Sequence, residues 1–184
     1  MGIARFTASA DNTITNAFKS DLSTRGTGSS MGLSDILETF SIYGQASSAS
    51  AEKSRILINF PMTPISSSRV SGSLPESGSV SFYLRMFNAE HGRTLPRDYV
   101  LEIRPVQSGW EEGYGLDMDG YTDETNDGTG SNWINCSAST NGQSGVPWLN
   151  EGGDYWGVDD VSSSFSASFP VGDENLEVDI TSLV

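Results

Sequence analysis

The sequence predicts an all-β protein, an antiparallel β-sandwich with little helix. Apolar residues recur at every second position in several short segments, as they do in strands that bury one face. Stretches rich in Gly and Ser separate these segments, and no window shows convincing helical spacing. The 184 residues are 36% hydrophobic and 10% aromatic, which suits one core, so we expect a single domain over residues 1–184.

Six segments carry this alternation. Their shared-face residues are Ile36, Glu38, Phe40 and Ile42; Ile56, Ile58 and Phe60; Val80, Phe82, Leu84 and Met86; Tyr99, Leu101 and Ile103; Phe165, Ala167 and Phe169; and Leu176, Val178 and Ile180. Pro61 and Pro105 end two of the segments, because proline cannot donate to a strand ladder. Residues 26–32, 47–53 and 66–78 are loops by composition, and residues 17–23 allow at most one helical turn.

Residues 107–160 are predicted to form a long irregular insertion within the domain. This region holds all four tryptophans, Trp110, Trp133, Trp148 and Trp156. We expect Trp110 and Trp148 to pack a small core beneath the loop. Tyr155 and Trp156 are flanked by glycines and are expected to be more exposed. Exposed aromatic side chains in loops stack on sugar rings or anchor protein interfaces, so these two are the candidate binding residues.

An acidic run between residues 117 and 128 is a candidate calcium site. Its carboxylates, with glycines for tight turns, can offer oxygen ligands to a hard cation. The candidate ligands are Asp117, Asp119, Asp123 and Asp127. The run is not an EF-hand loop, since Gly120 takes the fourth position rather than the sixth, and Gly128 stands where a closing Glu belongs. The alternative is a solvated acidic loop.

The residue types argue against an enzyme, and we predict no catalytic residue. One cysteine, Cys136, and one histidine, His91, cannot form a disulfide or a tetrahedral zinc site, and their separation disfavours a nucleophile–base pair. Glu111 and Glu112 are adjacent, so on a strand they would point to opposite sides and could not flank one glycosidic bond. Beyond calcium, no cofactor is expected.

The charge and hydropathy of the chain limit its partners. The formal net charge of −14 repels phosphate, so nucleic acid is not an expected partner. No run approaches the roughly 20 apolar residues of a membrane span. The N-terminus has no apolar run typical of a signal peptide, so we expect synthesis in a cytoplasm without standard export.

The order of several motifs resembles the DNRLRE-type jelly-roll domains, a β-sandwich family similar to carbohydrate-binding modules. The motifs are ADNTI at 10–14, SRILINFP at 54–61, VSFYLRMF at 80–87, WEEG at 110–113, SNW at 131–133, Trp148, GGD at 152–154 and LEVDITSLV at 176–184. The resemblance implies a jelly roll in which the tryptophans and turn glycines are mostly structural. Members of that family continue with further strands, so we expect either a longer protein or a partner over the open edge.

Residues 10–18, 82–90 and 110–133 also resemble virion structural proteins of marine tailed phages, particularly those of cyanobacteria. This resemblance implies a non-enzymatic role on the capsid, neck or tail, in multiple symmetric copies that contact other virion proteins. The location would be the virion, which is assembled in the host cytoplasm. The absence of disulfides fits this reducing compartment. The alternative is a carbohydrate-binding module that recognises a host-surface glycan.

Overall fold

In the computed structural model, residues 2–75, 78–90, 92, 95–118, 120–121, 130–137, 145–156 and 165–184 are described. Their strands are β1 (Ala10–Thr15), β2 (Ser41–Tyr43), β3 (Ala51–Asn59), β4 (Tyr83–Met86), β5 (Tyr99–Ile103), β6 (Asn135–Ser137), β7 (Val146–Pro147), β8 (Phe165–Phe169) and β9 (Leu176–Asp179). One α-helix, α1 (Met62–Val70), and a 3-10 turn (Thr181–Leu183) complete the described elements. Every strand pair is antiparallel, and the all-β prediction is confirmed at the level of class.

The chain divides into two compact units, each built from two separate stretches. Unit 1 comprises Met1–Met62 and Ser108–Asp154, and unit 2 comprises Thr63–Gln107 and Tyr155–Val184. Unit 1 contains a three-stranded sheet in the order β1-β3-β2 and the short β6-β7 pair. Unit 2 contains the pairs β4-β9 and β5-β8. The strands β6 and β7 lie within the region predicted to be irregular.

Two predicted strands of unit 1 differ from the structure. Where a strand was predicted over 36–42, the structure has a strand only over Ser41–Tyr43. The N–H groups of Glu38 and Phe40 instead donate to the hydroxyls of Thr13 and Ser54. Strand β3 begins at Ala51, inside a predicted loop. Its most buried apolar residue is Leu57, which lies between the two residues predicted to share the inward face, Ile56 and Ile58.

The interior of unit 1 is unusually polar. On β1, Asn12, Thr13 and Thr15 are as buried as Ile14, so both faces of this strand are covered. On β3, Glu52 is buried and accepts the Phe18 N–H at 2.8 Å. A hydrogen-bond partner offsets the cost of burying such groups, so side-chain hydrogen bonds hold this unit together alongside apolar packing.

Helix α1 occupies a segment that was partly predicted to be a loop. It has no apolar stripe, because Ile65 is its only buried residue and three serines follow. Pro64 lies in the first turn, where the missing N–H has no intrahelical partner to lose. With Ile65 as its one buried residue and Pro64 in its first turn, this helix has no apolar periodicity from which the sequence could predict it.

The four strands of unit 2 match the predicted alternation. Leu84 on β4 and Leu176 and Val178 on β9 are buried, whereas Tyr83 and Arg85 face solvent. Across β5 and β8, the rings of Tyr99 and Phe169 stack with centroids 4.8 Å apart. No helix in the described part of the chain is long and apolar enough to cross a membrane.

Candidate functional site

The tryptophans divide into interior and exposed side chains. Trp133 and Trp148 are buried in unit 1, and Trp110 is half-buried there. The indole N–H of Trp148 donates to the Asn132 carbonyl at 2.8 Å, which satisfies its one polar group. By contrast, Trp156 of unit 2 is 49% exposed. Trp133 and Trp148 therefore contribute to structure, and Trp156 is the most accessible of the four tryptophans.

Backbone contacts fix the exposed pair Tyr155 and Trp156 against the end of β5. The Trp156 N–H donates to the Pro105 carbonyl at 3.1 Å, and Tyr155 forms an antiparallel bridge with Val106. Tyr155 is 37% exposed. These contacts hold the backbone that carries both side chains before any ligand arrives, which lowers the entropy cost of binding.

Arg104 contacts both residues of this pair and is largely enclosed. Its Nε and Nη2 donate to Glu102 Oε2 at 3.2 and 2.8 Å, and its Nη1 donates to the Trp156 carbonyl at 3.4 Å. The guanidinium carbon lies 5.7 Å from the Tyr155 ring centroid. The Arg104 side chain is 11% exposed and that of Glu102 is 61% exposed. Glu102, Arg104, Tyr155 and Trp156 are called the Trp156 surface below.

A second exposed surface lies in unit 1 and was not predicted. Leu33, Ile36, Tyr114 and Leu116 are 53%, 49%, 67% and 65% exposed. The Leu33 N–H donates to the Gly115 carbonyl at 3.0 Å, which places the two segments side by side. We call these four residues the Leu33 patch. Sequence reasoning missed this patch, because its two segments lie far apart in the chain and Ile36 was predicted to be on the inward face of a strand, whereas it is exposed.

The two segments that carry the Leu33 patch contain no positively charged residue. No Lys or Arg occurs in residues 26–52 or 105–184, so both segments lie in stretches without positive side chains. Asp35, between Leu33 and Ile36, is exposed, as is Glu111. Exposed apolar clusters with a polar border are typical of protein-interaction sites.

The predicted calcium ligands are only partly described. Asp117 is buried in unit 1, and its N–H donates to the Ser30 carbonyl at 3.3 Å. Asp119, Asp123 and Asp127 lie outside the described residues. Within the described ranges, no three His, Cys, Asp or Glu side chains are grouped as metal ligands. Calcium binding therefore stays a prediction.

The adjacent glutamates have structural contacts. Glu112 Oε1 accepts the Asp11 N–H at 2.8 Å, which fastens its side chain to β1. Glu111 bonds through its backbone, donating to the Cys136 carbonyl at 3.0 Å and accepting from Ser131 at 2.6 Å. Burial, together with the Glu112 charge, raises the pKa of Asp11. Both glutamates thus join segments of unit 1.

Tyr121 is a titratable group in unit 1 that the sequence did not single out. Its hydroxyl donates to Glu38 Oε2 at 3.0 Å, and its ring lies 5.7 Å from that of Phe40. Burial, followed by the charge of Glu38, raises the pKa of Tyr121 well above its ordinary value. The phenol therefore stays protonated and acts as a hydrogen-bond donor.

Compared with known proteins, the chain matches no family model, no curated protein and no solved structure. Among the residues that the structure describes, the Trp156 surface and the Leu33 patch are the two sites whose exposure and geometry favour contact with another molecule. The first combines aromatic faces with an ion pair, and the second is apolar with acidic neighbours.

Proposed function

We propose that the chain is a non-enzymatic structural protein of a tailed-phage virion, a component of the capsid exterior, neck or tail. The observation that carries this proposal is the Leu33 patch, four large apolar side chains that are exposed on two adjacent segments of unit 1. Burying apolar surface contributes roughly 25 cal/mol per Å², so a neighbouring protein that covers the patch stabilises the assembly. The resemblance of residues 10–18, 82–90 and 110–133 to marine phage virion proteins supports the virion as that assembly.

The charge of the chain favours a different protein as the neighbour rather than a second copy. With a net charge of −14, two copies facing each other through acidic borders would repel. A partner with an apolar centre and a basic rim would complement the Leu33 patch in both respects. Copies of this chain would then be repeated by the symmetry of the particle, each docked on its own partner.

We also propose that the strands belong to a jelly roll. The pairing β4-β9, β5-β8 and β6-β7 supports this fold, because along the chain the two strands of each pair enclose those of the next. A jelly roll is an antiparallel double sheet that keeps distant strands paired in this manner. The proposal extends to a single sandwich over residues 1–184, and a crystal structure of the chain tests it directly.

The virion proposal is tested by adding purified chain to phage particles that were assembled without it. We expect the wild-type protein to decorate these particles at repeated positions in a cryo-EM reconstruction. Failure of the wild-type protein to associate would overturn the virion role.

The same particles test the Leu33 patch. Leu116→Ser is expected to lower occupancy about tenfold or more, because it removes a large apolar side chain from the proposed interface. Leu149→Ser is the matched control, since Leu149 is an exposed leucine of the same unit outside the patch. Equal occupancy of the two variants would show that docking uses another surface.

As a second candidate function, we propose recognition of a host-surface glycan through the Trp156 surface. Its support is the exposure of Tyr155 and Trp156 on a braced backbone. Ring faces of this kind pack against the C–H face of a sugar. A glycan array probed with the full chain tests this function, and the absence of any bound glycan would overturn it.

A further inference from the structure

The Trp156 surface carries a more specific inference, which rests on the proposed glycan recognition. We propose that it is a subsite for one uncharged pyranose residue, in which the indole of Trp156 stacks on the ring and the carboxylate of Glu102 accepts hydroxyl hydrogen bonds. Arg104 is a positioning residue that holds both groups. The contacts of Arg104 decide the class of sugar.

Every nitrogen of the Arg104 guanidinium already donates within the protein. Nε and Nη2 bond Glu102 Oε2, and Nη1 bonds the Trp156 carbonyl. These bonds use three of its five N–H groups, and the side chain is 11% exposed, so Arg104 presents little donor surface to a ligand. An acidic sugar would therefore meet no available cation here, and it would meet the carboxylate of Glu102.

Glu102 has the opposite character, because its side chain is 61% exposed. Arg104 neutralises its charge and orients it, so the carboxylate attracts a free cation only weakly. It still offers acceptor sites to neutral donors, and charge-assisted hydrogen bonds are the stronger kind. Sugar hydroxyls are such donors, so the neutral ring is the ligand that this pair fits.

The two recognition elements are joined through the backbone. Arg104 and Pro105 directly follow β5, which carries Glu102, and the Pro105 carbonyl accepts the Trp156 N–H at 3.1 Å. The stacking ring and the acceptor are thus held by the end of one strand. Such preorganisation keeps the cost of ordering the site low.

The test measures binding of the full chain to hexasaccharides of β-glucan, mannan, xylan and galactan. Sialyllactose, oligogalacturonate and a hexalysine peptide serve as charged probes. We expect at least one neutral hexasaccharide to bind and the charged probes to fail. Binding only to the acidic sugars would overturn the neutral-pyranose inference while leaving glycan recognition intact. Binding only to hexalysine would overturn both, as would binding to none of the probes.

Variants then locate the subsite. Trp156→Ala is expected to weaken binding of the neutral sugar about tenfold or more, and Trp156→Phe, which keeps a ring face, to retain part of the affinity. Glu102→Gln is expected to weaken it about fivefold through loss of the charged acceptor. Unchanged affinity in Trp156→Ala or in Glu102→Gln would overturn the assignment to this surface.

The matched control is Glu177→Gln. Glu177 forms an exposed ion pair with Arg85 at 2.9 Å in the same unit, without a tryptophan beside it in sequence. Its substitution is expected to leave the affinity unchanged, and an equal loss would show that net charge alone is responsible.

The positioning role of Arg104 is tested separately. Arg104→Met is expected to weaken binding, and Arg104→Lys is expected to weaken it less. Equal affinities of these two variants would overturn the positioning role.

Discussion

The side-chain amide of Asn12 donates to both the carbonyl and the hydroxyl oxygen of Ser131, at 2.8 and 2.9 Å, across 119 residues of sequence. The side-chain oxygen Oδ1 of Asn12 in turn accepts the Met31 N–H at 2.8 Å. All three residues are buried in unit 1. One side chain thus joins β1 to two loop segments and satisfies polar groups on each.

Replacing Asn12 tests the weight of this network. Asn12→Ala leaves the Met31 N–H and the Ser131 oxygens without this partner inside the unit, and each unsatisfied buried group costs about 1–3 kcal/mol. We expect the free energy of unfolding to fall by about 3 kcal/mol, measured by urea denaturation. Asn59→Ala, which removes an exposed bond to Ser9, should cost less than about 0.5 kcal/mol. Similar losses in the two variants would contradict the role of the network.

Gly32 is required by a close backbone approach. A Cβ at this position would overlap the backbone carbonyl of Glu112, in a segment held by the bonds of Glu111 to Ser131 and Cys136. We expect Gly32→Ala to lower the free energy of unfolding by about 2 kcal/mol. At Gly109 a Cβ would meet nothing within 4 Å, so Gly109→Ala should be neutral or slightly stabilising. A neutral Gly32→Ala would show that this approach is easily relaxed.

The carboxylate of Asp154 makes unit 1 sensitive to acid. Burial alone would raise its pKa, but the N–H groups of Leu149 and Asn150 and the hydroxyl of Ser108 hold the pKa below its usual 3.8. Because the pKa is lower in the folded state, the ionised side chain stabilises the fold at pH values above the pKa of the unfolded state. This contribution is lost as the pH falls through the folded pKa.

Asp154→Asn should therefore be less stable than the wild type at pH 7, by about 1 kcal/mol. The difference should shrink as the pH falls below about 4, where the wild-type carboxylate becomes protonated. Thermal unfolding followed by circular dichroism from pH 2.5 to 7 measures this. A difference that stays constant with pH would show that the charge is irrelevant.

Cys136 should be unreactive in the folded protein. Its thiol is buried and donates to the Val146 carbonyl at 3.3 Å. Burial, and then the charges of Asp154 and Glu111, raise the pKa of the thiol. Since the thiolate is the nucleophile, labelling by Ellman's reagent at pH 7.5 should be slow in the folded chain and complete in urea. Rapid labelling without denaturant would contradict this burial.

The sequence predicted the strands of unit 2 well, because alternation depends only on the order of neighbouring residues. Leu84 and Val178 pack inward for the same local reason that Arg85 and Glu177 face water. It predicted the 36–42 strand poorly, since hydroxyls from Thr13 and Ser54 take the place of a ladder there. Those partners are distant in sequence and leave no periodic signal.

For the candidate sites, the sequence singled out Tyr155 and Trp156 from their glycine neighbours, but it did not connect them with Glu102 and Arg104. That connection exists because the Pro105 carbonyl accepts the Trp156 N–H. The Leu33 patch was missed for a similar reason, since backbone bonds from Leu33 to Gly115 and from Asp117 to Ser30 bring together two segments that are distant in the sequence.

By itself, the sequence determined the all-β class, the inward faces of β4, β5, β8 and β9, and a surface with an excess of negative charge. These follow from the partition of apolar side chains away from water, which acts residue by residue along a strand. Only the tertiary structure decided that Asn12 and Glu52 are buried, that Arg104 is enclosed while Glu102 is exposed, and that Leu33 lies beside Gly115. Each of these depends on a hydrogen-bond partner that folding supplies from a distant part of the chain.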